Sequence, residues 1–395
     1  MQLGIDSLLQ TPERYLEGRR VALLANQASL ASDGRPTLEA MRNHPGIDLV
    51  ALLTPEHGWS GYEDDATPIG DRRDPRTGLA LHSLYGPRRR PAPAILADLD
   101  AVIIDVREVG VRCYTYATTA VLLCEAAAGV GTRVVLCDRP SMLGPHVDGP
   151  ALDPDRRSFL GYLDVPFQHG RTLGEVVAWG VRGVAVDLVV APAAAGAGPA
   201  GVANGVFVPP SPGLPSADAV ALYPGLVLLE GTNLNEGRGT TLPFQLLGAP
   251  WLDGYALAGE LNELRLPGLL FRPVSYVPRS DTHAGELCHG VQLHVTARAL
   301  LRPLEAVITV LGHIRAQHPS EFMWVRAADK PWSKLPGAGE PWHEPVTGYL
   351  IDWLAGDGSV RAVVDGAMPL EAASSDWAKV ALTWQREFAE FREKG

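Results

Sequence analysis

The chain has little of what marks several large classes of protein. Only four of its 395 residues are cysteines, and no two of them have C-x-x-C spacing, so neither a zinc site nor a disulfide framework is predicted. Basic residues number 34 against 45 acidic ones, and the formal net charge of -11 argues against nucleic-acid binding. No apolar run reaches transmembrane length, and the N-terminus lacks the apolar segment of a signal peptide. We therefore expect a cytoplasmic chain without a membrane span, with a leader removed from a longer precursor as the alternative.

Several nucleotide and nucleophile motifs are absent as well. The first strand is followed by Asn26-Gln27-Ala28 rather than by glycines, which argues against a dinucleotide. No Gly-Lys-Ser/Thr sequence indicates a P-loop, and no G-x-S-x-G sequence indicates a serine hydrolase. The histidines His57, His82 and His169 lack the spacing of metal ligands, which leaves only a metal site assembled from distant residues.

What the chain does contain is a series of apolar runs that alternate with helical segments. Such strands predict an α/β fold with a parallel sheet covered by helices on both faces. Beyond Trp251 an alternating strand and longer amphipathic helices predict a second, smaller α/β or α+β domain, so we place the domains at 1–215 and 216–395. The Ala-, Gly- and Pro-rich stretch 191–201 is interpreted as a linker or surface excursion. The predicted strands are 21–25, 49–53, 101–106, 134–137, 187–190, 271–277 and 290–295, and the predicted helices are 36–42, one ending near 129, 172–182, 255–266, 303–317 and 376–393.

Polar residues follow four of the predicted strands. Ligands of parallel sheets bind outside the carboxyl ends of the strands, so side chains at these ends are candidates for a site. One polar residue at a strand end is usually only solvated, but four such ends together indicate a functional site. The residues are Asn26, Glu56 with His57, Asp105 with Glu108, and Asp138 with Arg139.

A second dense polar stretch runs from Glu230 to Thr240. Its glycines allow the backbone to approach a ligand closely, and Glu236 and Arg238 supply charge. The alternative is an ordinary turn-rich connection between domains.

These residues favour carboxylate chemistry. A carboxyl group at the end of a buried strand and partly removed from water can act as a general acid, as in glycoside hydrolysis. Glu56 is the candidate for this role, and Asp105, Glu108 and Glu236 are candidates for the second carboxylate. The sequence does not choose among these three, because the separation of carboxylates is a structural quantity.

An ordered set of motifs extends this interpretation. They are Thr54–Gly58 with Gly61, Ser83–Gly86, Gly110–Arg112 followed by Tyr114–Tyr116, Asp138–Pro140, His169–Gly170 with Thr172 and Glu175, Glu230–Asn233, Glu236–Thr240 with Pro243–Phe244, and Gly248–Pro250. The set runs through essentially the whole chain and resembles the NamZ-type exo-β-N-acetylmuramidase family, long catalogued as a domain of unknown function. The sequence departs from the usual family pattern at Arg107-Glu108, where relatives commonly have Gln-Asp.

The resemblance implies a Rossmann-like N-terminal domain, a smaller C-terminal domain and an active site in the cleft between them. It further implies release of N-acetylmuramic acid from the non-reducing end of peptidoglycan fragments, without cofactor or metal, in proteins that are often exported. Glu56 matches the proposed catalytic glutamate of the family, with His57 orienting or tuning it and Asp105 as a further catalytic candidate. The expected substrate-binding residues are Asn26, Glu108, Arg112, Tyr114, Tyr116, Asp138, Arg139, His169, Glu236 and Arg238.

The substrate class gives some of these residues a specific expectation. N-acetylmuramic acid carries a lactyl carboxylate, which an arginine can bind in bidentate fashion. Arg112, Arg139 and Arg238 are the candidates, with Arg112 or Arg238 favoured. Tyr114, Tyr116 or Trp59 either presents an aromatic face to the sugar or packs in the core. A non-catalytic muropeptide-binding protein and a metal-dependent hydrolase or deacetylase of amino sugars are the alternative functions, and the oligomeric state stays open.

Overall fold

A seven-stranded, mostly parallel sheet organises the first half of the chain. The computed structural model describes residues 2–64, 67–86, 88–194, 202–203, 206–329 and 347–394. The strands lie in the order β3-β4-β2-β1-β5-β6-β7, and only the edge pair β3–β4 is antiparallel. The bounds are β1 Arg20–Ala25, β2 Asp48–Thr54, β3 Arg72–Arg73, β4 Ala80–Ser83, β5 Ala101–Asp105, β6 Arg133–Cys137 and β7 Leu188–Ala191.

The strands are apolar throughout because both faces of the sheet are covered. In β1, Ala22 and Leu24 join one buried cluster, whereas Val21 and Leu23 join a second cluster on the opposite face. Successive side chains of a strand point to opposite faces, so an unbroken apolar run is what a doubly covered sheet requires. The prediction of an α/β fold with a parallel sheet is confirmed.

The chain leaves β1 toward one edge of the sheet and returns to lay β5 on the other side of β1. The strand order therefore reverses between β1 and β5. Such a switch point opens a crevice outside the carboxyl ends of the two strands, and this is where ligands of open α/β sheets bind.

The second half of the chain carries a smaller antiparallel sheet with the order β10-β12-β11. Its helices α6, α8 and α9 contribute to the same buried cluster as the helix α4 of the first half. A short hairpin, β8–β9, precedes these elements. The bounds are β8 Val202–Ala203, β9 Val206–Phe207, β10 Leu246–Ala249, β11 Leu269–Tyr276 and β12 Cys288–Val295, with helices α1 Gly4–Gln10, α2 Thr37–Arg42, α3 Pro93–Leu96, α4 Tyr116–Ala128, α5 Leu173–Gly180, α6 Ala217–Leu226, α7 Gly254–Glu263, α8 Pro303–Gln317, α9 Leu350–Ala355, α10 Ser359–Val364 and α11 Leu370–Lys394.

Most predicted elements are present, with differences at their ends. The helix 303–317 is confirmed at both ends, whereas the last helix begins at Leu370 instead of residue 376. In the stretch 191–201, Ala191 closes β7, and residues 195–201 lie outside the described residues. All four cysteines are buried and free. Within the described ranges, no helix is both long and apolar enough to cross a membrane.

Candidate active site

Glu56 occupies a tight turn that follows β2. The turn closes through the amide of Gly58, which donates to the carbonyl of Pro55 at 3.2 Å. The Glu56 side chain accepts a hydrogen bond from Thr115 Oγ1 at 2.8 Å, and the Glu56 carbonyl accepts one from the Tyr116 hydroxyl at 3.3 Å. Glu56 is half-buried. A hydroxyl from the start of α4 therefore fixes one carboxylate oxygen at the mouth of the strand.

His57 has the left-handed backbone conformation, with φ at 68°. Few non-glycine residues adopt this conformation, and those that do concentrate at functional sites. Its Nδ1 lies 2.9 Å from the carbonyl oxygen of Glu63. Because a carbonyl can only accept, Nδ1 carries the proton, and Nε2 of the neutral ring keeps its lone pair. The turn thus carries a carboxylate and an oriented imidazole on consecutive residues.

Gly61 shows how closely this turn packs against the neighbouring strand end. Its φ is 63°, and a Cβ at this position would overlap the carboxamide of Gln27. Gln27 in turn donates to the carbonyl of Pro209 at 2.9 Å. Glycine at position 61 therefore suits the left-handed backbone, and a larger residue would also displace the Gln27 side chain.

An aromatic cluster extends from Glu56 into the second half of the chain. The rings of Tyr114 and Tyr116 lie 4.6 Å apart, and Tyr223 meets the edge of Tyr114 at 5.9 Å. Tyr223 also contacts Phe244 at 5.0 Å. Tyr114 and Tyr116 are both buried in the main hydrophobic cluster, so these rings pack in the core next to Glu56.

Arg238 contacts Phe244 at the end of this aromatic cluster and forms ion pairs with two carboxylates. Its guanidinium lies 4.7 Å from the Phe244 ring, with Nη1 2.6 Å from Glu236 Oε1 and Nη2 2.7 Å from Glu230 Oε1. Burial raises the pKa of Glu236 to about 7, against the opposing attraction of Arg238. Burial also raises the pKa of Tyr223 well above its usual range, and the negative charges of Glu230 and Glu56 add to the shift. Glu56 and Glu230, which are distant in the sequence, thus both raise the pKa of the same tyrosine hydroxyl.

Asp105, at the end of β5, is paired with an arginine that follows the neighbouring strand β6. Its carboxylate is fully buried and forms a bidentate ion pair with Arg139, at 2.6 Å from Nε and 2.8 Å from Nη2. Thr37 of α2 also donates to Oδ2. Because Arg139 and Thr37 bind both oxygens of Asp105, we assign Asp105 and Arg139 to positioning the strand ends rather than to contact with a substrate.

Glu108 and His169 form a second buried pair. Glu108 accepts from the amide of Gly110 at 2.6 Å, and His169 Nε2 lies 3.6 Å from Glu108 Oε1. His169 Nδ1 accepts from the amide of Arg171, so the ring proton is on Nε2, which forms no hydrogen bond with a described residue. Both side chains are at most 2% exposed, which leaves Glu108 without access to a second-carboxylate role.

Three further predicted binding residues have structural partners. Arg112 is buried and donates to the carbonyls of Pro150, Val165 and Ala355. Asn26 donates to the Tyr116 hydroxyl at 3.3 Å and the Pro210 carbonyl at 3.1 Å, which ties the end of β1 to the segment before α6. Asp138 accepts from Thr172 Oγ1 at 2.7 Å and the Gly174 amide at 2.9 Å, so it anchors α5. We assign these three side chains to supporting the fold around the site.

The predicted capping box of α5 is confirmed. Thr172 accepts from the Glu175 amide, and Glu175 accepts from the Thr172 amide. Trp59, an alternative sugar-facing ring, packs half-buried against the hydrophobic cluster on the α1 and α2 face. Across the ranges that the structure describes, no three His, Cys, Asp or Glu side chains are grouped as metal ligands.

Four residues of the site escaped the sequence analysis. Thr115 lies inside the Tyr114–Tyr116 motif without having been chosen, Tyr223 lies in none of the motifs, and only their contacts reveal both. Glu230 opens the second polar stretch and could have been chosen from its place in that motif. Arg107 could have been noticed as a departure from the family pattern; it is only 6% exposed and lies at the strand switch point.

The whole chain has recognisable relatives. The family models described as "Exo-beta-N-acetylmuramidase NamZ", N-terminal and C-terminal, match residues 21–218 and 221–394. A protein of Bacillus subtilis strain 168, "Peptidoglycan beta-N-acetylmuramidase NamZ", is 33% identical over 399 aligned residues, which cover 100% of this chain and 90% of that one.

Two solved structures share the fold. Both are DUF1343 family proteins from Bacteroides fragilis. The first has a TM-score of 0.83 at 27% identity, with 98% of this chain and 97% of that chain covered. The second has a TM-score of 0.70 at 25% identity, with 99% and 98% covered.

A half-buried glutamate at a strand mouth, with aromatic rings and further carboxylates nearby, matches the glycoside hydrolases, the class to which the Bacillus subtilis relative belongs. Within that class, the chain belongs to the NamZ exo-β-N-acetylmuramidase family.

Proposed function

We propose that this protein is an exo-acting β-N-acetylmuramidase. It removes the terminal β-1,4-linked N-acetylmuramic acid from the non-reducing end of peptidoglycan fragments and thereby serves cell-wall turnover. The observation that carries the proposal is the placement of Glu56, half-buried and held by Thr115 at the carboxyl end of β2. The name of the Bacillus subtilis relative supports the substrate class.

Glu56 is the acid–base group in this proposal. A carboxyl group that Thr115 holds at the mouth of the strand is placed to protonate the leaving glycosidic oxygen. His57 follows Glu56 in the same turn, and its ring, held through Nδ1 by the Glu63 carbonyl, orients the reacting groups.

Glu230 is the better candidate for the second carboxylate. Asp105, Glu108 and Glu236 are each at least 95% buried. The Glu230 side chain is 20% exposed, and the Arg238 guanidinium at 2.7 Å favours its ionised form. A base or nucleophile needs this combination of access and negative charge.

A cluster of tyrosine rings next to Glu56 is consistent with a sugar as the ligand. Aromatic faces pack against the apolar face of a pyranose ring. The contacts of Tyr114, Tyr116 and Tyr223 connect Glu56 with Arg238 through the core. The cleft between the two halves of the chain is therefore the proposed binding site.

The test of reaction class is incubation of the purified protein with a chromogenic β-N-acetylmuramide and, in parallel, the matching β-N-acetylglucosaminide. Release from the muramide alone is expected. Tight binding of the muramide without release would instead favour a binding protein, and activity abolished by a chelator would favour a metal-dependent hydrolase.

A further inference from the structure

Residues 209–214, which we call the proline segment, lie between the β8–β9 hairpin and α6. Three of the six residues are prolines, and each proline fixes its own φ. The amide of Leu214 donates to the carbonyl of Ser211 at 3.1 Å, and both residues are buried. The proline segment is therefore a compact turn with little conformational freedom, packed inside the protein.

One end of the proline segment is bound to the turn that carries Glu56. The carbonyl of Pro210 accepts hydrogen bonds from the Tyr116 hydroxyl at 3.2 Å and from Asn26 Nδ2 at 3.1 Å. Gln27, the next residue after the end of β1, donates to the same carbonyl at 3.3 Å. The Tyr116 hydroxyl also lies 3.3 Å from the carbonyl oxygen of Glu56. One buried hydroxyl thus connects the backbone of Glu56 to the backbone of the proline segment.

The other end of the proline segment lies against the side chains that hold Glu230. A Cβ added at Gly213 would stand 3.2 Å from Cε2 of Phe244 and 4.0 Å from Nε of Arg238. The Phe244 ring lies 4.7 Å from the Arg238 guanidinium, which binds Glu230 at 2.7 Å. A displacement of Gly213 would therefore be passed on to the guanidinium that binds Glu230.

The two ends thus contact the surroundings of both carboxylates that the proposed function uses. In glycoside hydrolysis the separation of the two carboxylates selects the reaction: about 5 Å permits direct attack on the sugar, and about 6.5–9.5 Å leaves room for a water molecule. A displacement of about 1 Å can lower the rate roughly 100-fold. A stiff segment in contact with both surroundings is suited to holding this separation constant.

We propose that the proline segment is a spacer that fixes the separation of Glu56 and Glu230. Tyr116 is the positioning residue at one end of the spacer, and Gly213 makes the contact at the other. The inference rests on the proposed function, because it assumes that these two carboxylates act together. It gives Tyr116 a role that acts through Glu56, in place of the contact with the sugar that the sequence suggested.

The kinetic test alters the contact at each end. Tyr116→Phe removes the hydroxyl that joins Glu56 to the proline segment, and Gly213→Ala presses a methyl group against Phe244. Each variant should lower kcat for the chromogenic muramide about tenfold with a smaller change in KM, because the sugar still binds while the carboxylates are displaced. A wild-type kcat in Tyr116→Phe, or a rise in KM alone, would overturn the proposal.

Matched controls separate positioning from a general loss of packing. Tyr162→Phe also removes a hydroxyl from a buried tyrosine, one that donates to Glu125 of α4 at 2.9 Å. Gly259→Ala adds a methyl group on α7, where a Cβ would meet open space. Both controls should keep the wild-type kcat. A loss of kcat in Tyr162→Phe equal to that in Tyr116→Phe would show that any lost core hydroxyl has this effect, and would overturn the proposal.

The double variant tests whether the two ends act through one distance. Changes at independent sites multiply, so two tenfold losses would give about a 100-fold loss of kcat. If the proline segment transmits both changes to the same separation, the loss in Tyr116→Phe/Gly213→Ala should depart from that product and stay nearer the loss of either single variant. A loss equal to the product would overturn the spacer.

Urea unfolding of the same four proteins keeps the inference separate from catalysis. The shift of the unfolding midpoint in the double variant should differ from the sum of the two single shifts, since contacts joined by one stiff segment are not independent. If the wild type cleaves neither chromogenic substrate, the proposed function fails, yet a non-additive shift would still support the proline segment as the link between Tyr116 and Gly213. Additive shifts would overturn it.

Discussion

Thr115 donates its hydroxyl hydrogen to Glu56 Oε2 at 2.8 Å, although 59 residues separate the two along the chain. Thr115 precedes the first residue of α4 and is buried, so the donor is held by a helix rather than by a mobile loop. The position of the carboxylate is therefore fixed by a donor at the start of a helix.

Replacing Thr115 should disturb catalysis through the position of Glu56. Thr115→Val keeps the shape of the side chain but removes the donor, and kcat/KM for the chromogenic muramide should fall about tenfold. Thr115→Ser restores the hydroxyl and should retain near-wild-type activity. Equal activity of the valine and serine variants would show that the hydrogen bond does not position the carboxylate.

Glu236 should make stability depend on pH. Its pKa is raised by burial to about 7 from a reference of 4.5, so the folded protein binds this proton more tightly than the unfolded chain. The free energy of unfolding should therefore fall as pH rises from about 4.5 through 7, by an amount on the order of 1–3 kcal/mol from this group.

The measurement is urea unfolding of the wild type and Glu236→Gln at pH 5 and pH 8. The glutamine variant lacks the titrating group, so its stability relative to the wild type should improve at the higher pH. A constant difference between the two proteins at both values would contradict the assignment.

Arg112 should matter for stability rather than for substrate affinity. Arg112→Met leaves the carbonyls of Pro150, Val165 and Ala355 without their donor inside the core. The free energy of unfolding should drop by about 3 kcal/mol or more, while KM of the folded variant stays unchanged. Arg76→Met removes a surface ion pair with Glu39 and is the matched control, with an expected loss below about 1 kcal/mol. A stable Arg112→Met protein with a raised KM would return Arg112 to the binding site.

The sheet could be predicted well because its signal is local. An apolar run such as Ala101–Asp105 must be covered on both faces wherever it lies, and polar residues at its end mark the carboxyl edge of the sheet. The small edge strand β3, Arg72–Arg73, carries no such signal, since both of its residues are exposed.

The roles of the arginines could not be predicted in the same way. Arg112 and Arg107 lie five residues apart, yet the first is satisfied by carbonyls as distant as that of Ala355 and the second by none of the described residues. Which charge finds a partner depends on tertiary contacts that no local pattern carries. The same holds for Asp105, whose ion pair with Arg139 forms between neighbouring strand ends.

The central claim is that Glu56 transfers the proton, and Glu56→Gln with the chromogenic β-N-acetylmuramide tests it most directly. The change keeps the size of the side chain and removes the acid, so kcat should fall by at least roughly 100-fold. Glu63→Gln, a glutamate of the same loop whose side chain contacts Arg72, is the control and should stay within a few-fold of the wild type. Both variants should fold, as judged by circular dichroism. Turnover by Glu56→Gln within a few-fold of the wild type would contradict the account.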